Sequence, residues 1–275
     1  MPNNKKRIFA TRPAQQNTLW AEKLRSHYAT LIDAGDVEII DLSLLEIQAV
    51  EGAHKERAKA TIMNLDLYQK IIFVSQNAVN YGLELVDEYW PQFPEGVQLF
   101  AIGKKTQALV SQMMSERYPE QSFSVQTDNE GLMTSDALLA HEQMQDVHHE
   151  KIAIVRGVGG LPRLQTVLEQ RGAVVDLCEL YRRELPKTAD HHIASMALNE
   201  ASDVFALFSG ETLENFQKAL LASKTKVDFS QIAIIVPSER VLEKAHTFGF
   251  EKVYLAENAS EPAMLASLDT LIDEK

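Results

Sequence analysis

Polar segments follow directly on short apolar runs at six places in the chain, and these segments hold the residues best suited to bind a charged ligand. Each stands just before a stretch with helical periodicity. A helix that begins there presents free backbone N–H groups and about half a positive charge at its N-terminus, which binds anions. The six segments are Thr11-Arg12-Pro13, Ser75-Gln76-Asn77, Lys104-Lys105-Thr106, Arg156-Gly157, Ser209-Gly210-Glu211 and Ser238-Glu239-Arg240.

The three serines, Ser75, Ser209 and Ser238, are also well placed as helix N-caps, and capping alone explains any one of them. Taken together, the segments favour a second interpretation. Two domains that each offer such a row of N–H groups and hydroxyls would face each other across a cleft. That cleft would suit an anion with several carboxylates or phosphates.

Several arrangements typical of other chemistry are absent. The glycine-rich run Arg156–Gly160 matches neither common nucleotide-binding motif. The pairs His148-His149 and His191-His192 have no further ligand at metal spacing. Cys178 lies in an apolar strand pattern, which is typical of a packed thiol and not of a nucleophile. The sequence therefore predicts neither a metal nor a cofactor.

The elements that position these segments alternate along the chain, and alternation of strand and helix predicts an α/β fold with parallel sheets. The predicted strands are Arg7–Ala10, Val37–Leu42, Lys70–Val74, Gln98–Ile102, Phe123–Gln126, Lys151–Val155, Ala173–Tyr181, Val204–Phe208, Ile232–Val236 and Lys252–Leu255. The predicted helices are Ala14–Thr30, Lys55–Leu65, Ala78–Tyr89, Lys105–Arg117, Gly131–His141, Leu161–Arg171, Ala189–Asn199, Thr212–Leu221, Glu239–Phe248 and Glu261–Leu271.

Three pairs of segments indicate an internal duplication. KRIFATRP resembles KIAIVRG, KIIFVSQNAVNYGLEL resembles VFALFSGETLENFQKAL, and LFAIGKKTQALV resembles AIIVPSERVLEKA. Ser75 and Ser209 occupy the same place in their segments, 134 positions apart, as do Gly103 and Pro237. Strand–helix units in general look alike, but the shared order and spacing favour two similar domains.

Length and composition exclude several classes of protein. The 275 residues suffice for two domains, and 45% hydrophobic with 24% charged residues is typical of a globular protein. The net charge of −12 is opposite in sign to that of a general nucleic-acid binder. No apolar run approaches the length of a membrane span, the polar start Met1–Arg7 does not resemble a signal peptide, and one cysteine fits a reducing cytoplasm.

Several motifs in order resemble those of the uroporphyrinogen-III synthase family over nearly the whole chain. They are TRP (Thr11–Pro13), FVSQNAV (Phe73–Val79), AIGKKT (Ala101–Thr106), NEGL (Asn129–Leu132), IVRGVGG (Ile154–Gly160), CELYRRE (Cys178–Glu184), FSGETLENF (Phe208–Phe216), VPSERV (Val236–Val241) and ENASEPAMLASL (Glu257–Leu268). Two departures stand out. Leu161-Pro162 replaces the arginine that usually follows the glycine pair, with Arg163 two places later, and Val74 and Phe208 stand where the family often has threonine before serine.

The resemblance implies two similar α/β domains, each a parallel sheet flanked by helices, joined by a two-stranded connection. Residues 1–38 and 187–275 would form one domain and residues 44–178 the other. The connections would be residues 38–43 and 179–186. The alternative is two consecutive domains divided near residue 147.

The resemblance also implies an activity, the cyclisation of hydroxymethylbilane to uroporphyrinogen III with inversion of ring D and loss of water. Tyr181 would then assist departure of the hydroxyl, or else it only shields the hinge. Residues of the cleft would bind the substrate carboxylates. Lysine and arginine side chains would contribute to this binding unless they form ion pairs with carboxylates at the protein surface. The candidate binding residues are Thr11, Arg12, Ser75, Gln76, Asn77, Lys104, Thr106, Ser209, Gly210 and Ser238.

The expected enzyme needs no cofactor, binds neither nucleic acid nor membrane, and is a cytoplasmic monomer that receives its linear tetrapyrrole from the bilane-forming enzyme. Two other functions stay open at this point. One is a non-enzymatic two-domain protein that binds a polyanionic ligand, since the same anion sites would serve it. The other is a nucleotide-sugar transferase, although its nucleotide motif is missing.

Overall fold

A computed structural model describes residues 5–127, 134–196, 198–199, 202–224 and 226–273. The motif piece Asn129–Leu132 lies outside the described residues, as do residues 131–133 of the predicted helix Gly131–His141 and residue 197 of the predicted helix Ala189–Asn199. The chain divides into two compact units. The first unit comprises Met1–Ile47 with Glu184–Lys275, and the second unit comprises Gln48–Arg183.

The described residues form short strands and helices that alternate along most of the chain. The strands are β1 (Lys6–Ala10), β2 (Val37–Asp41), β3 (Glu46–Ala49), β4 (Lys70–Phe73), β5 (Gln98–Ala101), β6 (Val125–Gln126), β7 (Lys151–Gly157), β8 (Val174–Glu184), β9 (Asp203–Ala206), β10 (Ala233–Val236) and β11 (Val253–Leu255). The helices are α1 (Ala14–His27), α2 (Ala29–Asp33), α3 (Gly52–Met63), α4 (Gln76–Tyr89), α5 (Lys104–Arg117), α6 (Ser135–Leu139), α7 (Arg163–Gln170), α8 (Ala189–Ser195), α9 (Gly210–Ala222), α10 (Glu239–Thr247) and α11 (Glu261–Asp273).

The strands form two sheets with matching topology. One sheet has the order β11-β10-β9-β1-β2, and the other has the order β3-β8-β7-β4-β5-β6. The neighbouring strands from β11 to β2 and from β8 to β6 are parallel. When β9, β10 and β11 are matched with β4, β5 and β6, and β1 and β2 with β7 and β8, the two orders coincide, and β3 is an additional edge strand of the second sheet. The segment pairs that indicated a duplication therefore occupy equivalent strands.

Each sheet is covered by helices because its strands are apolar on both faces. In β1 of the first unit, Ile8 packs in a cluster with Trp20 of α1, while Phe9 packs in another cluster with Phe216 of α9. Successive side chains of a strand point to opposite faces, so one short strand contributes to both clusters. In the second unit, Ile72 of β4 packs in a cluster with residues of α6 and α7. The predicted α/β class with parallel sheets flanked by helices is confirmed.

The structure corrects three details of the predicted elements. The strand β3 was missed, because its sequence EIQA is short and half polar. The predicted helix Ala14–Thr30 ends at His27, and α2 follows after Tyr28. The strand β8 continues past Tyr181 to Glu184. The apolar pattern that predicts a strand stops at Tyr181, because Arg182 and Arg183 are charged. Residues 38–41 and 179–184 of the predicted connections lie in β2 and β8.

Candidate functional site

Ser75 and Tyr181 form a hydroxyl pair at the carboxyl end of β4 in the second unit. Ser75 is the N-cap of α4, and its Oγ accepts a hydrogen bond from the backbone N–H of Ala78 at 3.1 Å. The same Oγ lies 2.8 Å from the Tyr181 Oη. The structure thus brings together the candidate catalytic residue and a candidate binding residue that are 106 positions apart in the chain.

The ring of Tyr181 is held from two further sides. Only 3% of Tyr181 is exposed, and its ring stacks on that of Tyr81, with centroids 5.7 Å apart and an interplanar angle of 19°. On the neighbouring strand β7, a Cβ added to Gly157 would lie 2.6 Å from the Tyr181 Cε2, so a glycine is needed there. The ring therefore has little freedom to move.

Tyr81 is a residue that the sequence reasoning missed. It lies on α4, the same helix that Ser75 caps, so one helix holds both the hydroxyl and the ring of Tyr181. Burial and the nearby Glu84 raise the pKa of Tyr81, which keeps its phenol neutral. The sequence places Tyr81 in the predicted helix that follows Ser75, but it does not show that the Tyr81 ring stacks on Tyr181.

Two helix N-termini of the second unit lie at the ends of adjacent strands. Gln76 and Asn77 begin α4 after β4, and Lys104 begins α5 after β5. Neither helix has an acidic residue in its first turn, so neither positive helix end is neutralised from within. Lys104 is exposed, whereas Thr106 is buried. Gly103 precedes α5 with φ 82°, a conformation that favours glycine.

In the first unit, Thr11 and Arg12 are committed to contacts of their own. Thr11 is fully buried, and its hydroxyl donates to the Ala206 carbonyl at 2.6 Å, which ties the end of β1 to β9. The Arg12 guanidinium forms an ion pair with Glu261 and lies over the Phe208 ring, 4.7 Å from its centroid. The Arg12 charge is therefore already compensated within the unit.

Ser209 repeats the capping geometry of Ser75. Its φ and ψ are −160° and 162°, against −165° and 167° for Ser75, and its Oγ accepts from the Thr212 backbone N–H at 3.1 Å. Where Ser75 contacts a tyrosine, Ser209 contacts the Thr212 hydroxyl at 2.9 Å. A Cβ on Gly210 would meet nothing closer than Val241 at 3.8 Å, so the structure has room for a small side chain there.

The prediction that the Ser238 side chain caps a helix is wrong. It stands at the N-cap of α10 with an extended backbone, but its side chain forms no capping hydrogen bond. The N–H of Val241 donates to the Ser238 carbonyl oxygen instead, at 3.0 Å. Ser238 lines a pocket of about 480 Å³ at the carboxyl ends of β10 and β11, whose charged lining residues are Arg240, Glu239 and Glu257.

A larger pocket of the second unit contains none of the predicted site residues. It measures about 500 Å³ and lies between α3 and β8. Its charged groups are largely paired with one another, since His54 contacts Glu179 and Lys151 contacts Asp176. Among the described residues, no cluster of three or more His, Cys, Asp or Glu side chains could hold a metal ion. Within the same residues, no helix is long and apolar enough to cross a membrane.

The family model described as uroporphyrinogen-III synthase HemD matches residues 26–266 of the chain. The chain belongs to the uroporphyrinogen-III synthase family. The resemblance inferred from the sequence motifs is therefore confirmed, and with it membership of a family of enzymes of tetrapyrrole biosynthesis that catalyse a cyclising, lyase-type reaction.

Relatives and solved structures of this family agree. The uroporphyrinogen-III synthase of Proteus mirabilis is 30% identical over 178 residues, which is 64% of this chain and 79% of the relative. That of Salmonella typhimurium is 28% identical over 212 residues, or 76% of this chain and 80% of the relative. A mutant uroporphyrinogen III synthase from Thermus thermophilus shares the fold with a TM-score of 0.56 at 13% identity, covering 98% of this chain and 100% of that one. The Helicobacter pylori enzyme gives a TM-score of 0.55 at 14% identity, covering 97% and 99%.

Proposed function

We propose that the chain cyclises hydroxymethylbilane to uroporphyrinogen III with inversion of ring D and release of one water molecule. Family membership supports the reaction. The observation that supports a chemical role for particular residues is the hydroxyl pair of Ser75 and Tyr181, 2.8 Å apart at the carboxyl end of a parallel strand. Ligands of open α/β sheets bind at such strand ends.

The reaction breaks one C–O bond and one C–C bond and makes two C–C bonds, without an oxidant or reductant. The ring A nitrogen lone pair expels the terminal hydroxyl, which takes up a proton and leaves as water, and an azafulvene cation remains. The substituted carbon of ring D attacks it and gives a spiro intermediate. The bond from ring D to its original bridge carbon then breaks, ring D recloses in the inverted sense, and a proton is lost.

In this proposal Tyr181 donates the hydrogen bond that assists departure of the hydroxyl. In the same proposal the Ser75 Oγ, which accepts from the Ala78 N–H, donates its own proton to the Tyr181 Oη. The phenol proton is then directed toward the substrate.

The substrate carries eight carboxylates, and the helix N-termini are proposed to bind them. The proposed carboxylate-binding residues at these helix N-termini are Gln76, Asn77, Lys104 and Thr106 in the second unit. In the first unit they are Ser209, Gly210 and Ser238. For Thr11 and Arg12 the contacts favour a supporting role, since one hydroxyl holds two strands together and one guanidinium is paired with Glu261. With a net charge of −12, attraction of the substrate must come from local groups.

Control of geometry is the main contribution that such a protein makes. The free bilane cyclises unaided to the uninverted type I isomer, so the enzyme must hold a flexible chain in one reactive arrangement, which can contribute several kcal/mol. We propose further that the protein acts as a cytoplasmic monomer. Direct hand-over from the bilane-forming enzyme would shorten the time that the unstable substrate spends in solution.

The test is an isomer assay. The protein is incubated with enzymatically generated hydroxymethylbilane, the products are oxidised, and isomers I and III are separated, with heat-denatured protein as the control. Native protein is expected to give type III in excess. A protein that only binds the polyanion would leave the isomer ratio at that of the control, and this result would overturn the proposal.

A further inference from the structure

Arg156, the last residue but one of β7, carries a buried charge, and none of the residues that the structure describes pairs a carboxylate with it. Of the described residues, the buried charged ones are Lys70, Arg156 and Asp203. Lys70 forms an ion pair with Glu150, and Asp203 forms one with Arg7. Arg156 is only 6% exposed, and within the described part of the chain its guanidinium bonds to two neutral carbonyl groups.

The loop that follows β7 is built around this guanidinium. Arg156 Nε donates to the Gly157 carbonyl oxygen and Nη1 donates to the Leu161 carbonyl oxygen, each at 3.2 Å. A Cβ added to Gly160 would lie 1.8 Å from Nη2, so only glycine allows the loop to pass so close. The side chain is therefore held in one position by backbone groups.

One of the three guanidinium nitrogens, Nη2, is left over after these two hydrogen bonds. Nη2 has no hydrogen-bond partner among the described residues, and it is not among the polar atoms sealed from solvent. Burying a cation is costly unless an anion compensates it. A fixed guanidinium with an available N–H and an uncompensated charge is a site for a carboxylate, which it binds through a charge-assisted hydrogen bond.

Backbone pairing connects the end of β7, which carries Arg156, to the part of β8 that carries Tyr181. Gly157 pairs with Tyr181 across β7 and β8, and the backbone N–H of Val158 donates to the Tyr181 carbonyl oxygen at 2.8 Å. We propose that Arg156 binds one acetate or propionate carboxylate of the tetrapyrrole at the carboxyl end of β7, the strand next to the one that carries Tyr181. This inference rests on the proposed function and adds a substrate contact to it.

The test compares charge with hydrogen-bonding capacity at this position. Arg156→Lys keeps the charge, whereas Arg156→Gln keeps neutral N–H donors for the carbonyl groups. For Arg156→Gln we expect the KM for hydroxymethylbilane to rise roughly 10- to 100-fold, the effect of losing a charge-assisted hydrogen bond. Arg156→Lys should recover most of that loss. The Kd for uroporphyrinogen III, measured by fluorescence quenching, should change in parallel.

Arg171→Gln is the matched control. The Arg171 guanidinium also donates to two carbonyl groups, those of Leu139 and Met144 at 2.8 and 2.6 Å, but it stands at the end of α7 away from the carboxyl ends of the strands. It should lower the melting temperature and leave KM unchanged. If Arg156→Gln does not fold, Gly160→Ala supplies the second variant, because its methyl group displaces Nη2 and should also raise KM.

Equal KM values in folded Arg156→Lys and Arg156→Gln would show that Arg156 only supports the loop, and would overturn the inference. An unchanged KM in folded Gly160→Ala would do the same. These outcomes are separate from the fate of the proposed function, which depends on whether the wild-type protein makes type III isomer at all.

Discussion

At the scale of single residues, the hydroxyl of Tyr181 is the atom on which the proposed chemistry depends. Tyr181→Phe removes that oxygen and keeps the ring packed on Tyr81. We expect turnover to fall roughly 10- to 1000-fold, the range between losing a neutral hydrogen bond and losing a proton donor. The free energy of unfolding should fall by about 1 kcal/mol or less, since only one hydrogen bond is lost. Type I isomer should accumulate as the unused bilane cyclises.

Tyr28→Phe provides the control for this change. The Tyr28 hydroxyl donates to Asp269 at 2.7 Å in the first unit, so the substitution also removes one phenol hydrogen bond. It should leave turnover at the wild-type value. Wild-type turnover in Tyr181→Phe as well, with loss only in Tyr181→Ala, would mean that Tyr181 acts through packing alone.

The thiol of Cys178 gives a prediction about alkaline stability. Burial raises its pKa from 9.0 to about 12, so the native chain keeps this proton at a pH where the unfolded chain loses it. The native state then binds more protons, and the free energy of unfolding must fall as pH rises above about 9. Between pH 8 and pH 10 the fall from this group should be about 1 kcal/mol. Urea unfolding of wild type and Cys178→Ala should show a shallower pH dependence in the variant, and equal slopes would contradict this origin.

The sequence identified part of the site at this scale and could not identify the rest. Ser75 and Tyr181 were both candidates, because strand ends and a family motif marked them. Their contact could not be predicted, since it joins residues far apart in the chain. Arg156 was recognised as a strand-end residue, but its burial without a carboxylate partner among the described residues depends on the path of the loop to Leu161, which local sequence does not specify.

At the scale of elements, Gly82 determines how closely α4 approaches the second sheet. A Cβ there would lie 2.9 Å from Val155 Cγ1 and 3.0 Å from Phe73 Cε1. Gly82→Ala should therefore lower the free energy of unfolding by about 1–3 kcal/mol, the usual cost of overpacking. It should also reduce turnover, because α4 carries both Ser75 and Tyr81. Thermal unfolding and the isomer assay check the two effects.

Gly210→Ala is the contrast for stability. Its added methyl group would have its nearest neighbour at 3.8 Å, and alanine is the better helix former. Melting temperature should stay the same or rise. A loss in Gly210→Ala as large as that in Gly82→Ala would show that the close approach of α4 is not the cause.

The two serine caps offer a matched pair of variants. Ser75→Ala and Ser209→Ala remove caps of nearly the same geometry, so each should cost about 0.5–2 kcal/mol of stability. Only Ser75 also contacts a tyrosine hydroxyl, and turnover should therefore fall further in Ser75→Ala. Denaturant unfolding with steady-state kinetics separates the two effects. Equal turnover losses would indicate that the contact between Ser75 and Tyr181 does not contribute.

Most elements were predictable because their apolar runs are short and their helices begin with recognisable polar residues. The exceptions have physical reasons. The strand β3 is stabilised by pairing with β8, whereas its own four residues show only a weak apolar pattern. The hydroxyl of Ser238 does not cap α10, and the N–H of Val241 donates to the Ser238 backbone carbonyl oxygen.

At the scale of the whole molecule, the two units share one strand order, which the repeated segments had indicated. The repeat was readable because the strand ends and helix starts keep their order and spacing. The division of the chain was not readable from pattern. The first unit contains both ends of the chain. The family resemblance suggests such a discontinuous domain, whereas hydrophobic periodicity does not.

The proposed activity of this molecule is to direct the cyclisation of hydroxymethylbilane to the inverted isomer. The most direct measurement follows substrate loss and isomer ratio together while the protein concentration is raised. We expect the rate of substrate loss to increase in proportion to the protein concentration and the product to change from type I to type III. A rate that does not depend on protein, with type I as the product at every concentration, would contradict it.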